Sequence, residues 1–226
     1  MWFINLLVAL AVMLAPSQSS EEVPAWDYNT VRADMFAGLG GDAVRFSRAM
    51  AACERTLARE PKHPEALVWH GSGLFFQAGQ AFRRGDLASG GPLWERGLAE
   101  MNEAVSLAPD SLAVVIPRGA VLLQAARFAP PAMAAPLLET GVRDYEHVLE
   151  LQQAYFHTLG EHPKGELLFG LADGYARLGN KVKARAYFDR LITDAPGSGQ
   201  APRGRAWLET GIVPDAPGLG CFGCHK

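Results

Sequence analysis

Gly165 to Pro196 reads GELLFGLADGYARLGNKVKARAYFDRLITDAP, and the spacing of its apolar residues decides the fold. Leu168, Leu171, Ala172 and Tyr175 recur at intervals of three and four, which places them on one face of a helix. Gly179-Asn180 breaks that spacing, because glycine and asparagine accept the left-handed backbone that ends helices. Ala184, Phe188 and Leu191 then mark the face of a second helix. The stretch is therefore a helical hairpin, with a small residue, Ala184, where two helices must approach closely.

Weaker copies lie upstream. Gly41-Asp42 opens a helix with Phe46, Met50 and Cys53 on one face, ending before Pro61. A helix from about Glu65 to Phe82 carries Leu67, Gly71, Leu74 and Ala78, and its partner ends at Ala104, Leu107 and Pro109. The link between these two is read as long, through Arg84-Gly85-Asp86 and Gly90-Gly91-Pro92. A third pair joins Leu112–Phe128 to Leu137–Leu159 across Ala129-Pro130-Pro131, with Pro117 either kinking its helix or marking the first turn. Arg203 to Thr210 is a short closing helix with Trp207 and Leu208 packed on the last repeat. No run of alternating β-branched residues suggests a strand.

The last unit resembles a tetratricopeptide (TPR) repeat at full length, and by period and punctuation the resemblance extends over Asp27 to Pro196. It implies an all-α solenoid of antiparallel helix pairs over residues 27–210, with Tyr175 and Phe188 filling the gaps between neighbouring units. It also implies a surface that binds a protein partner.

The chemistry sits at the far end, in Cys221-Phe222-Gly223-Cys224-His225. Two thiols separated by two residues, with an imidazole beside the second, form the attachment pattern for one c-type haem. One tight turn brings both sulfurs to the two porphyrin vinyl groups, and His225 reaches the iron as an axial ligand. Other readings of the same residues are a Cys221–Cys224 disulfide, half of a zinc site, or a hook for another metal. Gly211 to Gly220 is a tether rich in proline and glycine. Ten such residues average roughly 17 Å end to end and stretch to about 33 Å.

At the other end, Trp2 to Ala15 is almost wholly apolar and too short to span a bilayer comfortably. Ala15 and Ser17 are small and correctly related for cleavage after Ser17, so residues 1–17 read as a secretory signal; an uncleaved anchor is the alternative. The two ends agree, since haem is joined to such motifs outside the cytoplasmic membrane. A periplasmic or otherwise exported location is expected, with no membrane span in the mature chain.

Composition supports an ordinary globular interior: 49% of the 226 residues are hydrophobic and 20% charged. A net charge of -3 gives no electrostatic reason to expect nucleic acid. Between Lys164 and Arg205 the basic residues outnumber the acidic ones, and Arg203 and Arg205, just ahead of the tether, are candidates to meet haem propionates. His63, His70, His147, His157, His162, Met101 and Met133 are candidates for a second axial ligand, none favoured by spacing. Cys53 reads as a buried small residue, and Ser72 between Gly71 and Gly73 as part of a close helix crossing. The functional expectation is an electron-transfer or docking subunit of an extracytoplasmic redox system, with a redox enzyme or another cytochrome as partner. The competing expectation is a non-redox interaction scaffold whose terminal cysteines form a disulfide or hold another metal.

Overall fold

The computed structural model describes residues 25–129 and 131–214. Among them the chain is all-α: α1 (Tyr28–Leu39), α2 (Ala43–Arg59), α3 (Pro64–Arg83), α4 (Leu87–Leu107), α5 (Leu112–Ala125), α6 (Pro131–Gln152), α7 (Glu161–Arg177), α8 (Lys181–Asp194) and α9 (Ala201–Thr210). A 3-10 turn, Phe156–Thr158, lies between α6 and α7. Each odd-numbered helix up to α7 packs most extensively on the one that follows, and successive pairs meet through α2 with α3, α6 with α7, and α3 with both α1 and α5. Helix α9 lies on α8 and closes the stack. The architecture is a solenoid-like series of helix pairs, as the apolar spacing predicts. The expected signal segment 1–17, the Cys221–His225 motif and most of the expected tether lie outside the described residues.

One dipeptide makes the turn of three hairpins. Gly41-Asp42, Gly85-Asp86 and Gly179-Asn180 each place glycine at positive φ, where a side chain would be strained, followed by a residue that caps the next helix. The side chains of Asp42, Asp86 and Asn180 accept from the backbone N–H of Arg45, Ser89 and Lys183, each satisfying a donor left free in the first turn.

Paired helices approach closely because glycines line their crossings. A Cβ on Gly71 would lie 2.7 Å from the Gly97 carbonyl oxygen, and one on Gly97 would lie 2.7 Å from the Gly71 oxygen. Gly119 and Gly141 do the same for α5 and α6, where a Cβ on Gly141 would come within 3.1 Å of the Gly119 oxygen. Ser72 is buried beside this first crossing with its hydroxyl donating to Val68 O at 2.6 Å, in agreement with its reading as a packing residue.

The expected face of the last hairpin is borne out: Leu168, Leu171, Ala172, Tyr175, Ala184, Phe188 and Leu191 are all buried. Tyr175 stacks on Tyr187 at 5.9 Å and donates to Glu146 of α6, while Lys183 Nζ donates to the Tyr175 hydroxyl at 2.7 Å, so this cluster ties α6, α7 and α8 together. Trp207 stacks on Phe188 with ring centroids 4.7 Å apart and fixes the closing helix, which begins at Ala201, two residues before the expected Arg203.

Two expectations need correction. Gly90-Gly91-Pro92 is not a connection but lies inside α4, leaving Arg84 to Asp86 as the whole link. Gly90 is there for space: the Phe82 ring of α3 occupies the position its Cβ would take, at 2.3 Å. Helix α6 starts at Pro131 rather than Leu137 and stops at Gln152 rather than Leu159, and α5 stops at Ala125 rather than Phe128. Proline is tolerated as a first helical residue because its missing N–H would be unpaired there in any case. Pro92, Pro117 and Pro136 all fall in the second turn of their helices. Pro117 is therefore not a first-turn residue.

Candidate functional site

Buried aspartates pair with arginines across the stack, and one such pair opens onto a groove. Asp34 of α1 accepts from Arg45 and Arg48 of α2; Asp144 of α6 accepts from Arg118 of α5 at 2.5 and 2.8 Å; Asp173 of α7 accepts from Arg127, just beyond α5, at 2.5 Å. Arg177, one turn along α7, lies 3.7 Å from the same Asp173 oxygen and donates to Leu123 O at 2.9 Å. Two guanidiniums thus face one carboxylate, leaving net positive charge in the wall. The Arg127 and Arg177 side chains keep 28% and 21% of their surface open, enough for remaining donors to reach a ligand. Burial, above all, pulls Arg177 below its usual value, partly opposed by the Asp173 charge.

The groove has a volume of about 530 Å³, within the roughly 300–1,000 Å³ range of small-molecule and cofactor sites. Arg127, Asp173 and Arg177 supply its polar wall; Phe128, Ala176, Trp207, Ile212 and Val213 supply the apolar one. Phe128 and Ile212 are large apolar side chains left 78% and 70% exposed, at the lips of an open groove rather than in the core.

The C-terminal end of α9 builds the near wall. Gly211 caps the helix in the left-handed conformation, with φ 75°, and its N–H bonds to Trp207 O at 2.7 Å. That reversal turns Ile212 and Val213 into the groove. Arg203 then holds the departing chain: its Nε donates to Pro214 O at 3.3 Å, its Nη1 to Gln200 Oε1 at 2.8 Å, and its guanidinium lies 4.2 Å from the centre of the Phe169 ring.

The sequence-predicted residues fall as follows. Cys221, Cys224 and His225 lie outside the described residues. Arg203 and Arg205 share α9, Arg203 half-buried and Arg205 exposed, and neither lines the groove. Arg127 and Arg177, the cations that do, carry no local signal of convergence in the sequence, because one follows α5 and the other ends α7 in the next helix pair.

The candidate axial ligands fall in different surroundings. His63 accepts from the Ala66 N–H at 3.2 Å as the cap of α3, buried His70 pairs with Glu100 at 2.6 Å, and His147 pairs with Asp110 at 2.9 Å. Met101 is fully buried. His157 and His162 are exposed, as is Met133 at its edge. Cys53 is fully buried, and burial foremost pushes its thiol up to about 12, far from a reactive value. Among the described residues no cluster of three or more His, Cys, Asp or Glu is arranged to hold a metal, and no helix is long and apolar enough to cross a membrane.

No protein-family model matches the chain, and no curated protein matches it.

Proposed function

We propose that the protein is an exported, TPR-like solenoid carrying one covalent c-type haem on its C-terminal segment, acting in electron transfer or as a docking subunit of an extracytoplasmic redox system. The observation that carries this reading is the coincidence of Cys221-Phe222-Gly223-Cys224-His225 with an apolar N-terminal run of signal length in one chain. Cys221 and Cys224 hold the porphyrin through thioethers, and His225 is the protein's ligand to the iron. The haem supplies the electron chemistry; the chain supplies attachment, charge and shape.

The helix-pair architecture supports the partner side of the reading. Stacked pairs present an extended surface built from several repeats, suited to holding a protein partner beside the pigment. A redox enzyme or another cytochrome is the kind of partner this arrangement serves.

The test is the intact mass of protein secreted from a host equipped for haem attachment, together with a pyridine haemochrome spectrum after acid-acetone extraction. One haem added to the mature chain, with colour that resists extraction, is the expected result. A chain lighter by two hydrogens and colourless would instead establish a Cys221–Cys224 disulfide and a non-redox scaffold.

A further inference from the structure

We propose that the groove between the α5–α6 turn, α7 and α9 is the docking site of the haem borne by residues 215–226, with Arg127 and Arg177 facing its propionates and Phe128 and Ile212 closing over its apolar edge. This rests on covalent attachment at Cys221 and Cys224, and adds where the pigment is held.

Four observations converge on it. The chain leaves the described structure at the groove itself: Val213 is part of the wall, and Arg203 fastens Pro214 beside it. Cys221 follows seven residues later, so a fully extended segment spans at most about 23 Å. Chain length alone thus keeps the motif within reach of the groove.

Charge is the second observation. Haem is a flat apolar ring with two carboxylates on one edge, and the groove offers an apolar side and a cationic side. Arg127 and Arg177 outnumber Asp173, and guanidinium pairs with carboxylate in a planar, directional way. The third is size, since about 530 Å³ accepts a cofactor rather than a single side chain. The fourth is Phe128, whose 78% exposure leaves an aromatic ring in water at the lip of the groove.

The experiment uses the full chain matured with haem-attachment machinery, as wild type, Phe128→Asp and Arg127→Gln. Haemochrome absorbance measures attachment, far-ultraviolet circular dichroism measures folding, and Soret circular dichroism measures whether the haem sits in fixed asymmetric surroundings. Wild type is expected to show Soret dichroism well above that of its proteolytic haem peptide. Phe128→Asp, at an exposed position, is expected to drop to the peptide level with haemochrome and helicity unchanged. Arg127→Gln is expected to lower the midpoint potential, because removing a nearby cation favours the oxidised form.

Soret dichroism and potential that match wild type in both variants overturn the docking site while leaving attachment intact. So does wild-type dichroism no greater than the peptide's. Absence of haemochrome in wild type overturns the attachment reading itself, and docking with it.

Discussion

Gly71 and Gly79 lie two turns apart on α3, and the same substitution is expected to act on them with opposite signs. A Cβ on Gly71 would stand 2.7 Å from a backbone oxygen of Gly97, 3.0 Å from Met101 Cγ and 3.1 Å from Glu100 Cβ. The first of these cannot rotate away, so α3 and α4 must part. Overpacking of this kind costs about 1–3 kcal/mol. Alanine recovers about 1 kcal/mol of helix propensity, leaving a net loss of up to about 2 kcal/mol for Gly71→Ala. At Gly79 the nearest atom is the mobile Arg83 Nη1 at 3.7 Å, so only the propensity gain remains, and Gly79→Ala stabilises by about 0.5–1 kcal/mol. Urea midpoints for the two variants, compared at equal m, report the difference. The double variant Gly71→Ala, Gly97→Ala should cost less than the sum of its parts, because helices already separated by one methyl admit the second. A Gly71→Ala protein as stable as Gly79→Ala would refute the close-crossing account of how these hairpins pack.

Three further outcomes follow from the side chains. Arg48 first, then Arg45, hold the buried Asp34 carboxyl at about 2, below its ordinary 3.8; the folded value lies under the unfolded one, so this stability is present above about pH 4 and lost as pH falls toward 2. It amounts to about 2 kcal/mol, and Asp34→Asn should flatten the loss in denaturation midpoints measured between pH 6 and about pH 2.5. Thiol titration with a chromogenic disulfide should find none in the native haem-loaded protein and one, Cys53, after unfolding, with no increase on reduction; an increase on reduction would reveal a terminal disulfide. Trp207→Ala should cost about 3–5 kcal/mol by removing the ring that stacks on Phe188, read as a lowered thermal midpoint.

The helix pairs were legible wherever apolar spacing and turn chemistry coincided. Gly179-Asn180 and the faces around it translate directly into α7 and α8, and Gly41-Asp42 into the start of α2. Misreading occurred where glycine and proline serve packing or helix initiation instead of punctuation. Gly90 makes room for Phe82 within α4, and Pro131 opens α6, yet both look like chain breaks in one dimension. The groove was illegible for a different reason: Arg127, Asp173, Trp207 and Val213 meet only after the pairs have stacked.

The left-handed turn at Gly211 shortens the leash on any group attached at Cys221. Counted from Gly211, Cys221 is ten residues away and can lie at most about 33 Å off; counted from Pro214, whose carbonyl accepts from Arg203, it is seven residues away and can lie at most about 23 Å off. Volume scales with the cube of radius, so the local concentration at this end of the stack rises about threefold. If Cys221 and Cys224 carry the proposed haem, a donor or acceptor would have to approach the α9 end of the stack to reach it.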